Sequence, residues 1–423
     1  MNVPVITGVG AVSAFGVGFP LLREGLRAGA CAVGGIRSMD VIHFPLKIAG
    51  EVPVVHTDDA WVASSKLPPV WRSRAWDGAL RDRKVAFALL AAAEAWRHAG
   101  GSAELAHACV VMGVGLECAF LEDALPLYDG THVHWEREPA ADIPVIRFRT
   151  PPDAPARMVR EALGLTGRHL VHVDACAAGA LAVAHAASLI QRGAARVVLC
   201  GGTDSMVNPF GLGGMWRLGA PSPRNAADAC RPFDLQRDGL VVGEGSAMFV
   251  VEELSHARAR GAPFLAHVAG WASTQDGYRV TAPRPDGSAA LRAMQEALER
   301  AHVTREDLGY INAHGTGTRL NDEAEATAIA ALLGRSVDNV PVSSIKGAIG
   351  HLMAAAGAME LAACLVPFLD GVLPGTTNLK TVDPACPIHV LGPQPVRADV
   401  DAVLSNSFGF GGQNASVVLR RAP

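Results

Sequence analysis

The sequence predicts an α/β protein built from two similar halves, and three observations carry that prediction. Apolar runs of strand length alternate with Ala-rich runs of helix length along the whole chain. Two distant segments repeat one design: "LVHVDACAAGALAVAHAASLIQRG" (170–193) and "VPVSSIKGAIGHLMAAAGAMELAACLV" (340–366) each pass from an apolar strand through a short polar turn into an Ala/Gly-rich apolar helix. With 423 residues, 49% of them hydrophobic, the chain can bury a large core, as two domains or as one fused unit. The repeat places the boundary near 255–265, giving halves of 1–258 and 259–423.

The first apolar run, "VPVITGV" (3–9), has no basic segment before it and reads as a strand rather than a leader peptide. Further strands are expected at 108–114, 196–202, 246–252, 310–315 and 415–421. Helices are expected at 83–98, 177–192, 288–301, 322–333 and 350–367. The second of these carries almost no polar side chain, as a helix buried on every side would. It stops at Gln191-Arg192-Gly193, where a cation meets the negative helix end and glycine accepts left-handed backbone. Residues 203–240, rich in Gly, Pro, Asn and Arg, lack periodicity and read as a long ordered loop of functional character. Residues 121–155 are similarly irregular.

Composition excludes several roles. A net charge of −4 leaves no electrostatic footprint for nucleic acid or an anionic membrane. No apolar stretch is long enough and free enough of polar breaks to span a bilayer, so a soluble, cytoplasmic protein is expected. The eight cysteines form no C-x-x-C pair, which points to reduced thiols and against both a disulfide framework and a zinc site. "GVGAVS" (8–13) begins like a dinucleotide-binding turn, but Ser13 replaces the third glycine and no acidic residue follows at the required distance. "HVHWE" (132–136) spaces two histidines and a glutamate as on a strand, yet has no further ligand nearby and reads as an exposed loop.

Four segments carry chemistry. Cys176 lies just ahead of helix 177–192 among Ala175, Ala177, Ala178 and Gly179. A helix N-terminus lowers a thiol pKa through its free N–H groups and partial positive charge, and the small neighbours would admit a substrate carbonyl. Asp174 suits the cap position. Read alone, a buried structural cysteine is the commoner case; partners give this thiol its meaning. In "INAHGTGTRLNDEAE" (311–325), His314 ends an apolar strand beside glycines, placed to face a cleft. Thr316 and Thr318 could hold a ligand, and Asp322 and Glu325 open the next helix. In "SSIKGAIGHLMAAAGAMEL" (343–361), Lys346 and His351 stand at the start of a helix whose positive end should keep His351 neutral. A buried lysine must be paired, and Glu360 is the partner expected for Lys346. In "LSNSFGFGGQNASVVL" (404–419), Phe408 and Phe410 alternate with Gly409, Gly411 and Gly412, whose backbone freedom lets N–H groups point at a ligand.

In this order, "DACAAG", "HGTGT", "KGAIGH" and "NSFGFGG" resemble the β-ketoacyl-acyl-carrier-protein synthases, condensing enzymes of fatty-acid and polyketide assembly. "CRPFDLQRDGLVVGEGSAMFVVEE" (230–253) resembles the family's stretch between nucleophile and first histidine, so the resemblance covers nearly the whole chain. It implies a thiolase-like fold, a five-layer αβαβα sandwich, and a decarboxylative Claisen condensation of a Cys-bound acyl group with malonyl-acyl-carrier protein. It further implies roles: Cys176 as acyl acceptor, the Cys176 and Phe410 N–H groups as oxyanion hole, and His314 and His351 as donors to the enolate. Lys346 and Glu360 would support them, Thr316 and Thr318 would hold the pantetheine arm, and Phe408, Gly409 and Leu116 would contact substrate, with Phe410 as a gate. No cofactor is implied, because substrates ride on the carrier protein's phosphopantetheine. The implied partners are that carrier protein and a second subunit, either a copy of this chain or a chain-length-factor-like protein, with the contact expected around 121–170.

Several positions depart from the family's commonest pattern: Ala177 after the cysteine, Ala348-Ile349 before Gly350-His351, Gln413, and Glu117 beside Leu116. They leave the acyl substrate open, and with "HGTGT" they favour a polyketide over a fatty acid. A thiolase would need a second cysteine where "NSFGFGG" stands; Cys364 and Cys386 lie in other contexts. A non-catalytic chain-length subunit would lack Cys176. A priming acyltransferase that loads Cys176 without decarboxylating malonyl is the remaining alternative.

Overall fold

The computed structural model describes residues 2–53, 82–101, 105–115, 129–132 and 151–421. Its framework is ten strands: β1 (Pro4–Ser13), β2 (Cys109–Val114), β3 (His169–His172), β4 (Val197–Ser205), β5 (Glu244–Glu253), β6 (Ala266–Gln275), β7 (Tyr310–Asn312), β8 (Val342–Ser343), β9 (Ala402–Gly409) and β10 (Gln413–Arg420). They lie in the order β8-β7-β9-β10-β6-β1-β5-β4-β2-β3. The first five strands therefore run 3-2-4-5-1, and the last five repeat that order. Directions repeat as well. β2 pairs in parallel with β3 and β4, as β7 does with β8 and β9, and the remaining neighbours are antiparallel. The two sets meet where Val5 and Ile6 of β1 pair with His267 and Ala266 of β6.

Helices fill the layers between and outside the sheets: α1 (Arg83–His98), α2 (Ala178–Gln191), α3 (Pro209–Arg217), α4 (Ser288–Ala301), α5 (Arg319–Leu333) and α6 (Ala356–Ala363). α1 packs on the outer face of the first sheet; α4, backed by α5, covers the outer face of the second. α2 and α6 lie between the sheets and touch each other. This is the five-layer αβαβα arrangement, and it explains why both central helices are apolar all round. Close approach explains their glycines. A Cβ at Gly179 would lie 2.8 Å from Ala358 N, and one at Gly357 would lie 2.9 Å from Ala180 N.

The sequence expectations need correction at several points. Helix 350–367 is not continuous. Lys346–Ile349 forms one short helix, Gly350 takes φ 75°, Met353–Ala355 is a 3-10 turn, and helix resumes as α6 and again at Leu365–Asp370. The break comes from tertiary hydrogen bonds: His351 N donates to Val241 O at 2.7 Å and Gly243 N donates to His351 O at 2.8 Å. His351 therefore does not sit in the first turn of a helix. α5 begins at Arg319, three residues earlier than expected, and β7 ends at Asn312, leaving His314 in a loop. The supposed loop 203–240 contains the end of β4 and α3, whose N-cap Asn208 accepts from Gly211 N. Strands β6 and β9 were not among the expected ones.

Seven described cysteines are free thiols, and no metal-holding cluster of His, Cys, Asp and Glu occurs among the described residues. Leu116, Glu117, Cys118 and residues 133–136 of "HVHWE" lie outside the described residues; of the stretch 121–170 only 129–132 and 151–170 are described. Among the described residues, one run of consecutive helical turns, Met353–Asp370, is long and apolar enough by composition to cross a membrane. It is 83% buried within the protein and carries Glu360.

Candidate active site

Cys176 sits just ahead of α2, as expected, inside a 3-10 turn (Ala175–Ala177) that leads into the helix. Ala175 takes φ 47°, a left-handed conformation that costs a residue with a Cβ and turns the thiol out of the strand direction. Asp174 does not cap the helix; its Oδ2 lies 3.0 Å from His172 Nδ1 instead. The thiol is 8% exposed and borders a cavity of about 810 Å³. His314, His351, Thr316, Thr318, Phe408, Gly409 and Phe410 line the same cavity, so segments more than a hundred residues apart meet there.

His314 follows β7, and buried carboxylates shape its loop. Glu325 accepts the N–H groups of His314 and Gly315, both at 2.8 Å, and Asp322 accepts those of Thr316 (3.0 Å), Gly317 and Phe233 (2.8 Å). Gly315 and Gly317 adopt φ 36° and 80°, which these turns require. Thr316 and Thr318 join through their hydroxyls at 2.8 Å. Asp322 and Glu325 thus do more than open α5: they fold back from it to hold the histidine loop. Burial raises both carboxyls, Glu325 to about 7.

Two neighbours set the histidine tautomers. A backbone N–H can only donate, and Met353 N reaches His351 Nδ1 at 3.1 Å, so the proton of a neutral His351 sits on Nε2. Lys346 Nζ lies 3.2 Å from His314 Nδ1 and imposes the same choice there. Lys346 also donates to Glu360 and to His314 O, and Glu360 accepts Ser407 Oγ at 3.0 Å. The two rings meet edge to face with centroids 5.2 Å apart, and Phe408 lies 5.8 Å from His314. Burial, then the charge of Lys346, holds both imidazoles well below their ordinary pKa. The result is two neutral rings, each with one committed N–H donor.

The thiol behaves differently from expectation. Burial pushes Cys176 up to about 12, with Lys346 opposing and Asp204 and Glu360 reinforcing the rise. Desolvation outweighs the helix end, so the resting group is a thiol and not the lowered-pKa thiolate expected from sequence. The Phe410 backbone N–H donates to it. Gly409 explains how the loop comes so close: a Cβ there would lie 3.1 Å from Cys176 N. Gly411 and Gly412 follow at φ 84° and 81°. Asp204, Asn406 and Ser407 also belong to the site and were missed. Asn406 Nδ2 donates to Glu325 Oε1 at 3.3 Å, and polar residues inside the apolar runs of β4 and β9 were the available signal.

Comparison with known proteins places this geometry. Residues 3–257 match the family model "Beta-ketoacyl synthase, N-terminal domain" and residues 265–380 match "Beta-ketoacyl synthase, C-terminal domain". The chain is 36% identical to a 3-oxoacyl-[acyl-carrier-protein] synthase 2 of Rhizobium meliloti over 99% of its own length and 98% of the relative's. It is also 36% identical to the tetracenomycin polyketide synthase ketoacyl synthase alpha subunit of Streptomyces glaucescens, over 99% and 96%. The solved ishigamide ketosynthase/chain length factor superposes with a TM-score of 0.86 at 30% identity, covering 100% of both chains.

Proposed function

Because the chain belongs to the beta-ketoacyl synthase family, we propose that its cavity carries out decarboxylative condensation with Cys176, His314 and His351 as catalytic residues. An acyl thioester is attacked by the Cys176 sulfur; the carrier's thiol leaves with a proton and the acyl group stays on the enzyme. The N–H groups of Cys176 and Phe410 stabilise the oxyanion of that step. A malonyl thioester then enters and loses CO₂, and the electron pair of the broken bond passes to its carbonyl as an enolate. The Nε2–H groups of His314 and His351 bind that oxygen. The enolate carbon attacks the acyl carbonyl, the bond to Cys176 breaks, and the β-ketoacyl thioester departs on the carrier.

The observation that carries this reading is the pair of tautomers: two neutral imidazoles whose Nδ1 atoms are both engaged, bordering the thiol's cavity. Thr316, Thr318, Phe408 and Gly409 line the approach for a pantetheine-borne substrate, so no resident cofactor is invoked. Acyl-carrier protein is the partner in the first reaction step. A second subunit, a copy of this chain or a chain-length-factor-like protein, is supported by the alpha-subunit relative. Residues 1–258 and 259–423 act as two thiolase-like halves that supply the nucleophile and the histidines respectively, in the cytoplasm. Equal identity to a fatty-acid and a polyketide relative leaves both pathways as the setting.

Intact mass spectrometry with a panel of acyl-carrier-protein thioesters tests the assignment. Cys176→Ala abolishes acylation. His314→Ala and His351→Ala still acylate but lose most malonyl decarboxylation. Normal decarboxylation by both histidine variants would overturn the roles given to the two imidazoles, whereas a wild-type protein that acylates without decarboxylating malonyl would be a priming acyltransferase.

A further inference from the structure

Each half of the chain raises one tight turn into the cavity. In the first, Ala175 takes φ 47° and Cys176 follows; in the second, Met353 takes φ 47° and Ala354 follows. Both turns are 3-10 and both continue into a central helix, where Gly179 and Gly357, each three residues on, pack against the opposite helix. The fourth strand of each half runs alongside. Gly202 of β4 abuts Gly179, and Ser407 of β9 abuts Gly357. Two residues further along each strand the equivalence ends, because β4 carries Asp204 where β9 carries Gly409. Asp204 is 2% exposed and reaches across to the second turn, its Oδ2 accepting Ala354 N at 2.9 Å while Oδ1 accepts Ser205 N at 2.8 Å. Gly409 instead leaves the Cys176 N–H uncovered. Space for the carboxylate comes from Gly115, where a Cβ would lie 2.4 Å from Asp204 Oδ1.

We propose that Asp204 is a positioning residue for malonyl decarboxylation: its carboxylate fills the N–H pocket of the second turn, fixes the Met353 backbone, and thereby keeps the Met353 N–H on His351 Nδ1. The inference rests on the reading of His351 as an enolate donor. Left-handed backbone at a residue with a side chain persists only where its surroundings over-determine it. The Ala354 amide is the next donor after the strained residue, and a charge-assisted bond from a buried carboxylate is a strong anchor for it. When that anchor is lost, the Met353 amide drifts from Nδ1 and His351 no longer has a single tautomer. The duplicated fold thus has two equivalent N–H pockets, one filled from within and one open beside the nucleophile. The filling has a second effect, since Asp204 also raises the Cys176 pKa.

The test uses the full-length protein with malonyl-acyl-carrier protein alone for decarboxylation, hexanoyl-acyl-carrier protein for acylation, and iodoacetamide for the thiol's pH profile. Asp204→Ala is expected to slow decarboxylation by about tenfold or more while acylation continues. Asp204→Asn keeps an acceptor oxygen without the charge and restores decarboxylation to within about threefold of wild type. Both variants move Cys176 alkylation to lower pH. Should Asp204→Ala fail to fold, Asp204→Asn still decides: retained decarboxylation with a shifted thiol profile supports the proposal. The proposal is overturned if Asp204→Ala decarboxylates at the wild-type rate, or if the asparagine variant gives no rescue. His351→Ala separates the two failures, for if that variant decarboxylates normally the role of His351 is wrong, whatever Asp204 does.

Discussion

Replacing Lys346 by methionine removes one cation from a site where every partner is buried. Lys346 and Glu360 are each 1% exposed, and Lys346 Nζ serves Glu360, His314 O and His314 Nδ1 together. In Lys346→Met the Glu360 carboxylate keeps only the Ser407 hydroxyl. Breaking a buried pair from one side costs about 3–5 kcal/mol, a large share of the roughly 5–15 kcal/mol that holds a domain together. Urea unfolding followed by circular dichroism measures the loss. The loss should shrink as the pH falls, because Glu360, already raised by burial, takes up a proton once its cation is gone. The native state then binds more protons than the unfolded chain, and acid favours it. Lys346→Met/Glu360→Leu removes both charges and should recover most of the stability. It should not recover decarboxylation, since His314 still lacks the donor that fixes its tautomer; a deficit of about 10²-fold is expected, as for loss of one oxyanion donor. A single variant within about 1 kcal/mol of wild type would refute the buried-pair accounting. A double variant with full decarboxylation would refute the tautomer argument.

Three further outcomes follow from burial and close packing. His314 and His351 are held well below 6.5, so on acidification the unfolded chain binds more protons than the native state and stability falls from about pH 6.5 downward. Decarboxylation, which in the proposed mechanism uses the neutral rings, should show no acid limb near pH 6.5, and a pH–rate profile with one would contradict neutral donors. Gly179→Ala places a Cβ 2.8 Å from Ala358 N where the two central helices touch; it should cost about 1–3 kcal/mol in urea unfolding despite alanine's better helix propensity, and an unchanged midpoint would mean the helices can separate freely.

Local signals were legible where the chain obeys one period and one cap. α1 and α4 fall on 83–98 and 288–301 as expected, and the arrest of α2 at Arg192-Gly193 follows from the glycine's φ of 68°. β6 escaped notice because "AHVAGWASTQ" alternates with Ala and Gly in place of branched side chains. β9 escaped because Ser405, Asn406 and Ser407 interrupt its apolar run, although all three are buried. The broken helix at 350–355 could not be read locally: its cause is the 241–243 segment, more than a hundred residues away. The motif order marked Cys176, His314, Lys346 and His351. It could not show that Asp322, Glu325 and Asp204 turn their carboxylates toward backbone N–H groups, since that depends on which turns face them. The thiol's pKa was misjudged for a related reason, because a helix end is visible in sequence and the extent of desolvation is not.

In the proposed mechanism that desolvation acts on the two half-reactions in opposite senses. Decarboxylation profits, because a buried imidazole stays neutral and its N–H stands ready for the enolate without solvent reorganisation. Acylation is handicapped, because the same burial holds Cys176 as a thiol near 12. A lone cation would relieve the thiol, but it would carry an uncompensated charge into an apolar site. Lys346 is instead closed against Glu360, so the pair adds no net charge yet leaves an N–H for His314. Lys346 still draws the thiol's pKa down, and the α2 terminus and the Phe410 N–H favour the sulfur anion at Cys176 itself. The loop that brings Phe410 there is anchored elsewhere, with Gly411 N donating to Val280 O at 2.6 Å and Asp276 N donating to Gly412 O at 2.9 Å. Movement of this loop would therefore change the nucleophile while leaving both histidines in place, because their tautomers are set by Met353 and Lys346. A ping-pong enzyme needs this separation: the acylation apparatus can release its substrate while the decarboxylation apparatus stays assembled for the next.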